Sequence, residues 1–248
     1  MIAGIYSFPK SGNTWIREFI HSLYVNYRVE ENIVPDFDLS QGLGPEVMSP
    51  NAESWCFYKS HSHCEINVGE PNDLIIYVLR NPLDVFCSQL NYVLLDLSKQ
   101  GEALNLVCAD VDDAHAKSLI KHFFGAFMVF GTLMPTFGVA GGWGKHVSYW
   151  INRSFVDSRI VVLRYEDLLS DFHKFTDRIT DRLGFNHQKV EEALCSANER
   201  CNDGGKFYWK KSSSNYLNYL SDELINEYVC NNIELLKFTG YDKLISIN

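Results

Sequence analysis

The sequence is poor in basic residues and has no closely paired cysteines. With 22 Lys and Arg against 31 Asp and Glu, the 248-residue chain carries a formal net charge of −9. Nucleic acids and polyanionic polysaccharides need a basic face, so neither is expected as the main partner. The seven cysteines include no CxxC pair, which disfavours a zinc ribbon or a thioredoxin motif. Reduced thiols in a cytoplasmic protein are the simplest interpretation.

Linkers, internal repeats and low-complexity tracts are also missing, so we expect a single domain over residues 1–248. No signal peptide or N-terminal anchor is expected, because only a handful of residues precede the first motif. The hydrophobic fraction of 46% and the charged fraction of 21% are those of an ordinary globular protein and exclude disorder.

One stretch, residues 122–144, lacks Asp, Glu, Lys and Arg and is long enough to cross a bilayer. Its six glycines and Pro135 weaken a helix, and Lys121 and Lys145 flank it symmetrically, so a membrane span is the less favoured alternative. We expect instead the end of a helix and then a glycine-rich, aromatic-lined loop. Such a loop is either buried in the core or forms the wall of an apolar ligand pocket.

Apolar runs alternate with helical periodicity along most of the chain. Strands are predicted over 2–8, 55–59, 74–79 and 160–163, and helices over 15–24, from 82, 170–183, 187–197 and 221–236. Continuous apolar runs such as LIIYVL at 74–79 are typical of strands buried on both faces of a parallel sheet. This order predicts a parallel α/β sheet, in which ligands bind beyond the carboxyl ends of the strands.

The first motif at such an end is PKSGNTW, residues 9–15. Residues 4–11 match the phosphate-binding P-loop pattern except that Pro9 replaces its second glycine. A turn that leads a strand into a helix aims the first helical N–H groups at an oxyanion, and Lys10 adds a mobile positive charge. A plain strand–turn–helix with a surface lysine is the alternative. No partner aspartate for magnesium is evident, which disfavours an ATPase.

The second motif, KSH at 59–61, follows the second predicted strand. Lys59 and His61 lie two positions apart, so on an extended segment both side chains point to the same side. A lone histidine is more often structural than catalytic, but the preceding lysine makes His61 a candidate. Metal binding through His61, His63 and Cys64 is a further alternative, although no second ligand cluster accompanies them.

The third motif is RNPLDVFCS at 80–88. Arg80 ends the buried third strand and offers a forked donor for a phosphate, and Ser88 lies about two turns into the following helix. Asn81 is predicted as the N-cap of that helix and Pro82 as its first residue. The alternative for Arg80 is a structural ion pair with Asp84.

Together these motifs resemble the sulfotransferases that use PAPS (3′-phosphoadenosine 5′-phosphosulfate), particularly their cytosolic, small-molecule branch. Residues 9–15 resemble the family's PKSGTTW, residues 59–61 its KTH and residues 80–88 its RNxxDxxxS element. GWGKHV at 142–147 is similar to GSWxxHV, and RYEDL at 164–168 to YEDL. The resemblance implies an α/β, P-loop-like fold of three layers, with a central parallel sheet of about five strands flanked by helices.

The resemblance also implies roles for individual residues. The 5′-phosphosulfate is expected at Lys10, Ser11, Gly12, Asn13, Thr14 and Trp15, with Trp15 against the adenine. Arg80 and Ser88 would hold the 3′-phosphate, and Tyr165 would contact the adenine. His61 resembles the general base that deprotonates the acceptor, while Lys10 and Lys59 would stabilise the transferring sulfuryl group and the leaving phosphate. No metal is expected, because sulfuryl carries less charge than phosphoryl and lysines can replace magnesium.

Two elements depart from the family pattern. Where the family has RKGxxGDW, residues 209–216 read WKKSSSNY; the arginine and both glycines are missing, but Lys210 and Lys211 keep the positive charge. Residues 195–199, CSANE, align with a [ST]-S-F-E element without its aromatic residue, and Ser196 is carried over from it as a nucleotide contact.

A small molecule with a hydroxyl or an amine is the expected acceptor. Aromatic residues predict a partly apolar pocket around His61, formed by Phe8, Phe124, Phe127, Phe130 and Phe137. The acidic net charge also tolerates a cationic acceptor. Two other functions stay open: a P-loop kinase or other ATP-dependent phosphotransferase, and a non-catalytic nucleotide-binding module. Magnesium dependence and ATP affinity would identify the first, and the intact Lys10, Lys59 and His61 count against the second.

Overall fold

The computed structural model describes residues 1–24, 32–99, 108–134, 142–201 and 212–243. Its strands are β1 (Ile2–Ser7), β2 (Val47–Met48), β3 (Ser54–Ser60), β4 (Leu74–Leu79) and β5 (Ile160–Arg164). Its helices are α1 (Asn13–Tyr24), α2 (Pro82–Lys99), α3 (Val111–Ala116), α4 (Ile120–Phe130), α5 (Gly142–Ser154), α6 (Tyr165–Ser170), α7 (Phe172–Leu183), α8 (His187–Arg200) and α9 (Asp222–Thr239).

The five strands form one sheet in the order β2-β3-β1-β4-β5. β3, β1, β4 and β5 run parallel, and β2 pairs antiparallel with β3 at the edge. The predicted α/β fold is therefore confirmed, with the difference that the two-residue strand β2 makes the sheet mixed. In the parallel register Tyr6 lies opposite both Ser60 and Tyr77, so β1, β3 and β4 end at the same edge.

Helices cover both faces of the sheet. Successive residues of a strand point to opposite sides, so each strand contributes side chains to two cores. Tyr6 of β1 faces a core that includes Trp143 and Trp150 of α5 and residues of α2, α4 and α9. The neighbouring Ile5 faces the other core, to which α1, α7 and α8 contribute. The result is the three-layer arrangement that the resemblance implied.

The charge-free stretch 122–144 contains the end of a helix, as its glycines predict. Helix α4 ends at Phe130, and Gly131 caps it in the left-handed conformation with φ 65°. Helix α5 starts at Gly142, and residues 135–141 lie outside the described part of the chain. Among the helices that the structure describes, none combines the length and the apolarity needed to span a bilayer.

Candidate active site

The loop between β1 and α1 is a tight turn that only a glycine at position 12 permits. Gly12 has φ +101°, and a Cβ there would lie 2.5 Å from a ring carbon of Tyr165. Its carbonyl accepts the first α1 hydrogen bonds, from the N–H groups of Trp15 and Ile16. Lys10 also has a positive φ, 71°, a conformation that costs a non-glycine residue roughly 1–3 kcal/mol. The turn thus combines local strain with a lysine and a helix start.

A cavity of about 480 Å³ lies beside this turn, at the carboxyl ends of β1 and β3. Its lining combines residues from all three motifs and from the 32–41 segment with four others, from α1, α2, the segment after α4 and α6. They are Pro9, Lys10, Gly12, Asn13, Thr14, Trp15, Arg17, Asn32, Asp36, Leu39, Gln41, Lys59, His61, Arg80, Ser88, Tyr92, Met134 and Tyr165. The structure therefore brings together in one cavity ten of the predicted site residues: Lys10, Gly12, Asn13, Thr14, Trp15, Lys59, His61, Arg80, Ser88 and Tyr165.

Lys59 is buried at the end of β3, and two carboxylates hold its ammonium group. Its Nζ lies 2.5 Å from Asp36 and 3.8 Å from Asp38. Burial lowers the pKa of Lys59, and the hydrogen bond and charge of Asp36 oppose that effect. Lys10 reaches the same cavity from the turn, with its Nζ 4.6 Å from the ring centre of Tyr92. Two cations therefore approach the cavity from adjacent strands.

The backbone around His61 selects one tautomer of its ring. Nδ1 lies 2.8 Å from the carbonyl oxygen of Ser7, which can only accept, so Nδ1 carries the proton and Nε2 carries the lone pair. The His61 N–H donates to Asp38 at 2.6 Å and fixes the backbone as well. Burial, followed by the positive charge of Lys59, lowers the pKa of His61 to about 3. The imidazole is therefore neutral near neutral pH, and Nε2 is the nitrogen that can accept a proton.

His146 of α5 supports the segment that carries His61. Its Nε2 lies 3.2 Å from the carbonyl oxygen of His61, and its Nδ1 lies 3.0 Å from the hydroxyl of Tyr77. The neutral ring can donate at the first position and accept at the second. Burial lowers its pKa to about 3. His146 belongs to the GWGKHV element, but no sequence pattern indicated that it positions His61.

Arg80 joins three parts of the site. Its Nη1 donates to the carbonyl oxygen of Lys10 at 3.0 Å and its Nη2 to that of Ser212 at 3.4 Å. The guanidinium carbon lies 4.3 Å from the ring centre of Tyr165. Within the described part of the chain, the buried Nε of Arg80 and the buried Oγ of Ser11 have no hydrogen-bond partner. An unpartnered buried donor costs about 1–3 kcal/mol, so these two groups suit an oxyanion ligand.

Asp84 does not pair with Arg80, although both residues are described. Its carboxylate instead accepts the backbone N–H groups of Ser214 and Tyr216, at 2.7 and 3.2 Å. Burial raises the pKa of Asp84, and the charge of Arg80 and these hydrogen bonds oppose the rise. Asp84 thereby anchors the C-terminal segment on the first turn of α2. Arg80 and Ser88 both line the cavity.

Trp15 forms a wall of the cavity and is held on two sides. Its ring stacks on Phe19 with 5.4 Å between centroids and meets Phe172 edge-on at 5.6 Å. Its Nε1 donates to Asn198 Oδ1 at 3.1 Å. Asn198, which was not predicted from the sequence, therefore supports the Trp15 ring. It lies two positions from the predicted contact Ser196 on α8. Ser196 is partly buried on α8 and is not among the lining residues.

The predicted aromatic wall of the acceptor pocket needs a correction. Phe124 and Phe127, three positions apart on α4, are 1% exposed and pack against Phe86 in the core. Phe130, the last residue of that helix, is 68% exposed. Phe8 is buried edge-on against His146, with 5.5 Å between ring centroids. None of these four lines the cavity; the helical periodicity of α4 directs Phe124 and Phe127 into the core instead.

Three predicted site residues, Phe137, Lys210 and Lys211, lie outside the described residues. Asp36 and Asp38, which hold Lys59 and the His61 backbone, were not predicted from the sequence. No spacing rule links them to the KSH motif, because 23 positions separate Asp36 from Lys59.

The arrangement as a whole is that of an α/β protein in which a strand–turn–helix segment with a lysine and a buried arginine with an unpartnered Nε line one cavity, within the described residues. The chain belongs to the sulfotransferase domain family, whose model matches residues 4–227. Sulfotransferase 1E1 of Bos taurus is 26% identical over 197 residues, which are 73% of this chain and 58% of that protein. The chain spans a little over half, 54% to 58%, of the length of such curated relatives.

Solved structures share the fold. Mouse sulfotransferase SULT7A1 complexed with PAP has a TM-score of 0.58 and 18% identity, covering 96% of this chain and 87% of that one. Retinol dehydratase in complex with androsterone and the inactive cofactor PAP has a TM-score of 0.61 and 17% identity, covering 95% and 80%.

Proposed function

We propose that this chain transfers a sulfuryl group from PAPS to a hydroxyl or an amine of a small-molecule acceptor. One observation carries the proposal: Lys10, Lys59 and His61 line the same cavity as Arg80 and Ser88. The family membership and the likeness to structures that hold PAP support it. PAP, adenosine 3′,5′-bisphosphate, would be the nucleotide product.

The nucleotide would bind through the β1–α1 turn and the donors beside it. The N–H groups at the start of α1 and the Ser11 hydroxyl suit the 5′-phosphosulfate. Arg80 and Ser88 suit the 3′-phosphate, and the Trp15 and Tyr165 rings offer faces for the adenine. Ser196, Lys210 and Lys211 stay proposed contacts. Among the described residues that line the cavity, Asp36 carries a carboxylate, and that carboxylate forms an ion pair with Lys59. We propose that the reaction needs no metal.

His61 would act as the general base. Its Nε2 takes the proton of the acceptor hydroxyl or amine as the new bond to sulfur forms and the bond from sulfur to the bridging phosphate oxygen breaks. Negative charge then builds on that oxygen, and Lys10 and Lys59 are the cations placed to stabilise it. The Ser7 carbonyl fixes the productive tautomer of His61 before the acceptor arrives.

The acceptor would enter on the side of the cavity that Leu39, Gln41 and Met134 line. This mixture of apolar and amide surface suits a small, partly apolar molecule. Androsterone and retinol occur in the retinol dehydratase complexes, which supports small-molecule acceptors as a class. The names of the curated relatives, cytosolic sulfotransferases, support a cytoplasmic location. We also propose that the chain forms a single sulfotransferase domain. Neither a nucleic acid nor a membrane is proposed as its partner.

A screen of acceptors with labelled PAPS tests this function. Phenols, aliphatic alcohols, sterols and amines are incubated with the purified chain, and the label and product mass are followed. We expect one acceptor class to gain a sulfuryl group, with PAP formed in equal amount and no magnesium added. Lys59→Met should abolish the transfer, whereas the surface variant Lys117→Met should retain it. Transfer of label from ATP instead would establish a kinase.

A further inference from the structure

Three side chains that commonly bind metals meet on the surface formed by α7 and α8, away from the cavity lining. His173 is the second residue of α7, and His187 and Glu191 lie one turn apart on α8. One ligand atom from each lies within 4.8 Å of the others. No role in the proposed sulfuryl transfer uses any of them.

The separations are close to those of a tetrahedral metal site. Nε2 of His173 lies 2.8 Å from Oε1 of Glu191, and Nε2 of His187 lies 3.9 Å from the same oxygen. Zinc bonds of about 2.0–2.2 Å at tetrahedral angles place ligand atoms about 3.3 Å apart. The observed distances bracket this value. The two imidazole ligand atoms lie within 4.8 Å of each other, so side-chain rotations that adjust these separations bring all three atoms onto one ion.

We propose that His173, His187 and Glu191 form a binding site for a divalent transition metal of the Zn²⁺ type. Two imidazoles and one carboxylate are a ligand set that zinc uses, whereas magnesium and calcium prefer oxygen ligands throughout. Three protein ligands leave a fourth position for solvent. The site therefore binds the ion without enclosing it.

A carboxylate stands behind one of the ligands. Nδ1 of His173, the nitrogen that faces away from Glu191, lies 3.7 Å from Oδ1 of Asp177 one turn along α7. Histidines that bind metals commonly direct their other N–H to a carboxylate, which orients the ring and raises its basicity. At 3.7 Å a slight approach completes that contact.

A metal at this site joins two helices that flank the nucleotide cavity. Phe172, next to His173, packs against Trp15, and Asn198 of α8 accepts the Trp15 N–H. Without a metal, the same three residues are a surface contact between His173 and Glu191 at 2.8 Å with a neighbouring imidazole. That pair binds no ion, so metal titration separates the two interpretations.

The experiment is calorimetric titration of the metal-stripped full chain with ZnCl₂, followed by thermal unfolding with and without the metal. The wild type should bind zinc at this site, and zinc at about a hundred times its Kd should raise Tm by roughly 5–10 °C. His187→Ala, at an exposed position, and Glu191→Gln, at a half-buried one, should lower the affinity at least about tenfold. MgCl₂ should give no rise in Tm.

His122→Ala is the matched control, because it removes an equally exposed histidine on α4 and leaves the cluster intact. The chain also has free thiols, two of them exposed, that can bind zinc in any variant. The decisive quantity is therefore the difference between variants. A loss confined to the cluster variants supports the site, and equal zinc affinity in all variants overturns it.

Discussion

At the scale of single residues, the site depends on which nitrogen of two histidines carries a proton. The Ser7 carbonyl keeps the proton of His61 on Nδ1, and the His61 carbonyl is placed to accept from His146 Nε2. This chain of hydrogen bonds leaves His61 Nε2 as the basic atom. Lys59 and Asp38 hold the same segment from the other side. The tautomer of His61 is therefore set by backbone carbonyl groups, which remain when neighbouring side chains are substituted.

Replacing His61 by Ala should abolish sulfuryl transfer and leave PAP affinity nearly unchanged, because the ring acts on the acceptor. A positioned general base contributes about 10²–10⁴-fold to the rate. Single-turnover transfer and PAP binding are measured on the same preparation. His63→Ala, a partly buried histidine two positions on that does not line the cavity, is the control. Transfer by His61→Ala above about a tenth of the wild-type rate contradicts the assignment.

The pH profile tests the environment of the same ring. A base must be unprotonated, and the pKa of His61 is lowered to about 3, chiefly by burial and next by Lys59. Single-turnover rates should therefore show no loss from His61 protonation between pH 8 and about pH 5. A proton-linked fall centred near about 6.5, the ordinary histidine value, would mean that the ring is solvated.

Arg80 should discriminate nucleotides by their 3′-phosphate. Arg80→Ala should weaken PAP far more than adenosine 5′-phosphosulfate, because truncating one partner of a buried, charge-assisted hydrogen bond costs about 2–5 kcal/mol. Calorimetry with both ligands gives the comparison, and Arg182→Ala on α7 is the control. Equal weakening of the two ligands would make Arg80 a purely structural link between the turn, Ser212 and Tyr165.

At the scale of elements, the β1–α1 turn should be the part of the site most sensitive to small changes. Gly12→Ala combines an unfavourable φ with a Cβ 2.5 Å from the Tyr165 ring. Gly69→Ala is a matched control, since its φ is +102° and no atom lies within 4 Å of the added Cβ. Both variants should lose about 1 kcal/mol of stability from backbone strain.

Gly12→Ala alone should also lose PAP affinity, by about tenfold or more, because the Tyr165 ring must move. Urea unfolding and PAP titration of the two variants make the comparison. If both variants bind PAP equally well, the turn tolerates the displacement and its tight fit does not matter for the nucleotide.

The elements themselves were largely predictable from local patterns. Residues 74–79 form β4 with the predicted bounds, because a strand buried on both faces is apolar throughout. Asn81 caps α2 as predicted, with its Oδ1 accepting the Leu83 N–H at 2.9 Å. The two-residue strand β2 has no period to detect, and α3 covers only Val111–Ala116. Such short elements form because the rest of the fold provides a partner.

The site was predictable where a motif coincides with a strand end. Lys10, Lys59, His61 and Arg80 meet because parallel strands end at one edge. The ion pair of Lys59 with Asp36 depends on the path of the chain between α1 and β3, which no local pattern encodes. The phenylalanines of α4 were misplaced for the converse reason: aromatic composition alone does not separate a pocket wall from a core-facing helix.

At the scale of the whole molecule, two neutral histidines should make stability sensitive to acid. The pKa of His146 is lowered to about 3 by burial, so the folded state binds fewer protons than the unfolded state below the ordinary value near 6.5. This contribution to stability is complete above about pH 6.5 and is lost as the pH falls toward 3. Each such histidine adds a slope of up to about 1.4 kcal/mol per pH unit in that range.

The slope is measured by urea unfolding from pH 7.5 to 4.5. His146→Asn should lose less stability on acidification than the wild type, since the variant has no buried imidazole to protonate. His122→Asn, at an exposed position, should follow the wild type. A wild type and a His146→Asn variant with parallel pH dependence would show that the buried ring does not couple folding to protons.

We expect the cavity to bind a 3′-phosphorylated adenine nucleotide without magnesium, and thermal unfolding with PAP in the presence of a chelator is the decisive measurement. At about a hundred times its Kd, PAP should add about 2.7 kcal/mol and raise Tm by roughly 5–10 °C. ATP with magnesium at the same concentration should raise it less, because it lacks the 3′-phosphate that Arg80 and Ser88 would hold. Equal or larger stabilisation by ATP with magnesium would contradict this expectation and favour a phosphotransferase.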